Sequence, residues 1–176
     1  MEILPNISSL YGKSEKYKNV ISFGIGSADR KKMLCSDKIV EIIITLNKNL
    51  KNEIVLLGKG ELEEKLINEI KAKIELEKYN TVDLVNKLSL TETLEIINSS
   101  KIYLGVDSGL YNFAFGFRKN IIAFFEQKNS FSHDEVENIK IIYGENSNYK
   151  KEEYFGTKKL NSINLKEIID YLERLK

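Results

Sequence analysis

The sequence predicts an α/β fold: a Rossmann-like parallel sheet with helices on both faces. Three observations predict it. Apolar runs of about five residues recur along the chain, as buried parallel strands do. Most of these runs stop at a glycine or a short polar turn. Between them lie segments whose apolar residues return at helical spacing.

Residues 1–18 are polar and irregular and contain Pro5, the one proline of the chain. They read as a lead-in or linker, with a single domain over 19–176. The first strand is expected at 19–25 (NVISFGI), ended by Gly24 and Gly26. Ser36 is a plausible N-cap for a helix whose stripe is Ile39, Ile42, Ile43, Leu46 and Leu50. A second strand, 53–57, stops at Gly58, and Leu62, Leu66, Ile67, Ile70 and Ile74 mark the next helix. A short strand follows at 81–85. Ser89 and Glu92 have the spacing of a capping box, in which each side chain satisfies the other's backbone donor. The helix they open runs to about Ser99. Residues 101–106 form a fourth strand, and Asp107-Ser108-Gly109 opens a helix towards Phe117. Strands at 120–125 and 139–143 come next. The last helix carries Leu165, Ile168, Ile169, Leu172 and Leu175.

Composition narrows the function classes. The 176 residues are 42% apolar and 30% charged, as in an ordinary globular domain. A net charge of +1 gives no broad footprint for nucleic acid, and none is expected as a partner. One cysteine, Cys35, rules out an internal disulfide and a cysteine-based metal site. One histidine, His133, leaves no histidine cluster to bind metal and reads as incidental. Cys35 reads as a near-surface or helix-start residue. A reducing, cytoplasmic setting is expected. No apolar run approaches the ~18 residues that span a bilayer.

In such a sheet every strand's carboxyl end falls on one edge, where ligands bind. Three segments fall there: Gly24–Ser27, Gly58–Glu61 and Asp107–Gly109. Asp107-Ser108-Gly109 stands at a strand-to-helix junction whose first-turn amides lack partners and carry the positive end of the dipole. A phosphate there accepts several backbone hydrogen bonds at once. By itself the tripeptide favours a helix cap, the commoner use of such residues. Lys32, with Arg30 and Lys31, follows the first glycine loop and is placed either to neutralise a diphosphate or to sit as a solvated cluster. Glu61 is placed either to accept from a ribose diol or to complement the helix dipole.

Four segments in order resemble the C-terminal domain of glycosyltransferase family nine, the ADP-heptose:lipopolysaccharide heptosyltransferases. They are ISFGIGSADRKKML (21–34), IVLLGKGELEE (54–64), LVNKLSL (84–90) and DSGLYNFAFGFRKNIIAFF (107–125). The resemblance implies one half of a GT-B fold, binding a nucleotide-sugar donor and using no separate cofactor. It implies that Asp107, Ser108, Gly109 and Lys32 hold the diphosphate and that Glu61 holds the ribose. ADP-heptose is the donor it points to. The chain departs from the family pattern at three places. Leu34 stands for a tryptophan, Asn86 for a glycine, and Asn112 for a histidine. Asn112 keeps a donor for phosphate oxygen but not the charge a histidine carries.

The resemblance also implies a second, N-terminal half that holds the general base and a glycolipid acceptor of lipopolysaccharide or surface-glycan synthesis. The expected setting is the inner face of the inner membrane. Residues 1–18 are too short for that half, so this chain alone is expected to bind donor and not to transfer sugar. A stand-alone nucleotide- or partner-binding module, or half of a nucleotide-sugar epimerase or hydrolase, are the alternatives on the same architecture.

Overall fold

The computed structural model describes residues 6–145 and 151–175; Pro5 lies outside them. Six strands form one sheet: β1 (Ile21–Gly24), β2 (Ile54–Leu57), β3 (Thr81–Asp83), β4 (Ile102–Val106), β5 (Asn120–Phe125) and β6 (Ile139–Tyr143). Every pairing is parallel and the order is β3-β2-β1-β4-β5-β6. That is the doubly wound order of a Rossmann fold, as the alternating pattern predicts.

Among the described residues, four α-helices connect strands, α1 (Ser36–Asn49), α2 (Glu61–Lys71), α3 (Leu90–Ser99) and α4 (Gly109–Gly116), and α5 (Lys166–Arg174) follows β6. One core lies between the sheet and α1, α2 and α5, and includes Ile39, Leu66, Ile70 and Ile168. The other lies under α3 and α4 and includes Leu94, Ile97, Tyr111 and Ala114. Strand residues alternate between the two: Ile54 and Leu56 face one core, Val55 and Leu57 the other. Burial on both faces is why β2 and β4 read as unbroken apolar runs.

The capping box forms as its spacing predicts. Glu92 N donates to Ser89 Oγ at 3.2 Å, and Ser89 N donates to Glu92 Oε2 at 2.7 Å. At α1 the cap differs from expectation. Cys35, not Ser36, is the N-cap, and Ser36 Oγ instead donates to Glu69 Oε2 at 3.1 Å. Cys35 is also buried rather than near the surface.

Within the described part of the lead-in, residues 6–18 are docked on α3 and α4. Asn98, 1% exposed, donates to the carbonyls of Ser8, Tyr11 and Gly12 and accepts from Ser8 Oγ at 2.7 Å. Ile7, Tyr11 and Tyr17 pack on the second core. Replacing Asn98 with alanine strips partners from these carbonyls and leaves a small void. A loss of about 1–3 kcal/mol in a urea melt is expected, together with faster proteolytic cleavage in residues 6–18 than in the original chain.

Candidate functional site

The candidate site lies where β1 and β4 pair. The chain leaves β1 towards β2 on one side and leaves β4 towards β5 on the other, so the loops beyond their carboxyl ends diverge and leave a crevice. Ser27 Oγ crosses it, donating to the Asp107 carbonyl at 3.0 Å. The Asp107-Ser108-Gly109 turn then starts α4. Ser108 is the N-cap, its Oγ accepting from Tyr111 N at 3.5 Å. The first-turn amides of α4 therefore sit at the mouth of the crevice with the positive end of the helix dipole.

Two clefts flank this turn. The larger, about 270 Å³, has Gly26, Ser27, Glu63, Ser108 and Gly109 at its base and Leu90 and Phe113 among its walls. The smaller, about 230 Å³, is lined by Asp29, Lys32, Asp107, Glu126, Asn129 and Thr157, with others. Lys32 Nζ meets Asp107 Oδ2 at 2.8 Å, and Asn129 Nδ2 donates to the same oxygen at 3.4 Å. Lys32 is half exposed in this pair, which leaves its ammonium donors for a ligand beside Asp107.

Local structure explains how Lys32 is held there. It ends a single 3-10 turn, Arg30–Lys32, capped by Asp29, whose carboxylate accepts from Lys31 N at 2.9 Å. Residues 151–163 strap this turn down. Gly156 N donates to Arg30 O at 2.9 Å. The buried Asn161 accepts from Cys35 N and donates to Phe155 O, both at 2.9 Å. The same strap brings Thr157 into the smaller cleft, where its hydroxyl donates to Glu126 at 2.8 Å.

The structure thus brings together Lys32, Asp107, Ser108 and Gly109. Gly109 faces open space, with no atom near where a side chain would begin, so a ligand has direct access to its backbone. Glu61 and Asn112 fall elsewhere. Asn112 is exposed on the first turn of α4 and lines neither cleft. Glu61 lies on the outer face of α2 beside Glu64, Lys65 and Asn68.

The acid in the crevice is Glu63. It is 8% exposed and nests among three glycines. A methyl group on Gly26 would stand 2.6 Å from its carboxyl carbon, one on Gly58 2.7 Å from its Cγ, and one on Gly60 2.7 Å from Oε2. Gly60 also has φ +138°, a conformation other residues rarely adopt. The glycines thus serve the close approach of a carboxylate from α2. A helical signal for this was present: Glu63 shares one stripe with Leu66, Ile67 and Ile70, the buried face of α2. Glu61 begins the opposite stripe.

Two departures from the family pattern have physical accounts. Asn86 has φ +59°, so the left-handed conformation a glycine provides is kept. Its side chain then brackets Gly60, accepting from the amide at 2.8 Å and donating to the carbonyl at 3.2 Å. Leu34 is fully buried against the first core and fills apolar volume there. His133 stacks on Phe115, ring centroids 4.0 Å apart, away from both clefts.

The family model of glycosyltransferase family 9 (heptosyltransferase) matches residues 13–161. The chain belongs to this family. No curated protein sequence matches it. Among solved structures it is similar to ADP-heptose LPS heptosyltransferase II of E. coli, with a TM-score of 0.72 and 18% identity over 97% of this chain. It is also similar to E. coli heptosyltransferase WaaC with ADP-2-deoxy-2-fluoro heptose (TM-score 0.70, 13% identity, 93% of this chain). A glycosyl transferase family 9 protein of Veillonella parvula gives a TM-score of 0.68 at 18% identity over 96% of this chain. The family 9 chain spans 49%, 45% and 49% of these three proteins respectively, about half of each. The fold is one half of a GT-B fold.

Burial pushes the Glu63 carboxyl above the usual glutamate range. Its ionisation therefore opposes folding. The stability it contributes is complete below the unfolded value, 4.5, and is lost as pH rises through the higher folded value. Glu63→Gln removes that titration. Urea melts from acid to neutral pH should show a flatter profile for the variant than for the original chain, with equal or higher stability at neutral pH.

Proposed function

We propose that this chain is the donor-binding half of a heptosyltransferase-like glycosyltransferase and that its donor is an ADP-linked sugar. One observation carries the reading. A single crevice at the switch point of the sheet holds a buried acid, Glu63, and the amide-rich start of α4. Both are what a nucleoside diphosphate requires. Ribose hydroxyls donate to the Glu63 carboxylate, while the base has the apolar walls at Leu90 and Phe113. The diphosphate takes the amides at Ser108–Gly109 and the Lys32 ammonium. The glycosyl group then faces the smaller cleft, where Asp29, Glu126, Asn129 and Thr157 offer donors and acceptors for hydroxyls. ADP is supported by family members of the same fold, whose structures hold ADP or an ADP-heptose analogue.

In transfer, the bond between the sugar's anomeric carbon and the diphosphate oxygen breaks, and negative charge grows on the leaving diphosphate. The dipole of α4 and the cation of Lys32 are fixed where that charge appears, which is the electrostatic contribution this half makes. The acceptor, a glycolipid of lipopolysaccharide or surface-glycan synthesis, and the base that activates it are assigned to a partner N-terminal half. Work at the inner face of the inner membrane fits that acceptor. Among the described residues no helix is long and apolar enough to cross a membrane.

Isothermal calorimetry with ADP, UDP and GDP tests the reading. ADP should bind more tightly than the other two. Lys32→Ala should weaken ADP by about tenfold, the loss of one charge-assisted hydrogen bond. Glu63→Gln should weaken it by about fivefold, whereas Glu61→Gln should leave it unchanged. Equal ADP affinity in the original chain, Lys32→Ala and Glu63→Gln would contradict the assignment.

A further inference from the structure

A buried hydroxyl lies beneath the start of α4, on no segment the family pattern singles out. Tyr103 is the second residue of β4, with 0% exposure. Its ring runs along the strand towards the carboxyl edge and lies over Gly105. The hydroxyl reaches across to β1, where a methyl on Gly24 would stand 2.5 Å from it and 3.4 Å from Leu110 Cδ1. Gly24 and Gly105 are register partners in the sheet. Two adjacent glycines thus open the slot that lets a tyrosine point up into the switch point.

Among the described residues, Tyr103 Oη is the one buried side-chain oxygen without a hydrogen-bond partner. Proteins seldom leave such a group unpaired unless something else requires it there. Its polar neighbour is Ser108, close enough to interact although the two hydroxyls do not meet in hydrogen-bond geometry. Ser108 is itself loosely held, since its bond from Tyr111 N is 3.5 Å long.

We propose that Tyr103 is a positioning residue for the diphosphate site: when the anion binds, Tyr103 donates to Ser108 Oγ, so that the serine hydroxyl must give its own proton to a phosphate oxygen. A serine hydroxyl has two lone pairs and one proton. Tyr111 N–H takes one lone pair and Tyr103 O–H takes the other. The remaining proton then has one direction left, outward into the cleft that Ser108 lines. Without Tyr103, the serine can turn its proton inward and present a lone pair to the anion, which repels it. Tyr103 does not touch the ligand and is not a catalytic residue. The proposal rests on the donor-site reading above.

The test is a double-mutant cycle on the full chain, read by calorimetry with ADP and with adenosine. Tyr103→Phe keeps the ring and removes the oxygen. Ser108→Gly removes the hydroxyl while keeping a good N-cap residue. Tyr103→Phe should weaken ADP by about fivefold, leave adenosine unchanged, and have no effect on ADP in the Ser108→Gly background. Without ligand its melting temperature should be equal or higher, because the ligand-free chain loses a buried hydroxyl that has no partner. The proposal is overturned by unchanged ADP affinity in Tyr103→Phe, by a loss that persists undiminished without Ser108, or by a marked fall in melting temperature. Absence of ADP binding by the original chain overturns the donor-site reading and this proposal together. Failure of the Tyr103→Phe expectations alone, with ADP still bound by the original chain, overturns this proposal and leaves that reading intact.

Discussion

The pairing of β1 with β4 is the contact on which the rest of the site depends. It sets residues 21–24 against 102–105 in parallel register although they lie far apart in the chain. Because β1 also pairs with β2 on its other side, the helices that follow β1 and β4 cover opposite faces. The loops above the pair must separate, and the crevice follows from that topology rather than from any one residue. The Ser27 bond to the Asp107 carbonyl then holds the two sides at a set distance.

Around the crevice, charge is arranged by burial. Lys32 is half exposed in its pair with the mostly buried Asp107, so the lysine escapes the full desolvation of a buried pair and can exchange partners. Glu63 lies deeper and has a glycine nest instead of a cation, which is why its ionisation is disfavoured. The proposed donor, an ADP-linked sugar, would supply what each group lacks: ribose hydroxyls as donors for Glu63, and diphosphate charge for Lys32 and the α4 amides.

The strap at residues 151–163 and the lead-in at 6–18 act at opposite ends of the sheet in the same way. Each uses one buried asparagine, Asn161 and Asn98, to satisfy several backbone groups of an irregular segment. Irregular chain has no ladder of its own, so buried backbone groups need such partners. Through the strap, the turn carrying Lys32 is fixed by residues more than a hundred positions away.

Periodicity in the sequence was enough to determine the layers, the six strands and the capping box at Ser89, because each depends on neighbours within a few residues. It also placed Lys32, Asp107, Ser108 and Gly109 on one edge, since strand ends in a parallel sheet have nowhere else to go. Motif position nominated Glu61, whereas the acid that enters the crevice is Glu63. Glu61 follows the glycine turn, yet helix phase turns it outward and turns Glu63 in. Tertiary structure alone decided three things: that Asn86 brackets the Gly60 turn, that the strap delivers Thr157, and that Tyr103 points beneath Ser108. Each depends on two segments meeting across the sheet edge. A local pattern carries no information about such a meeting until the strand order is known.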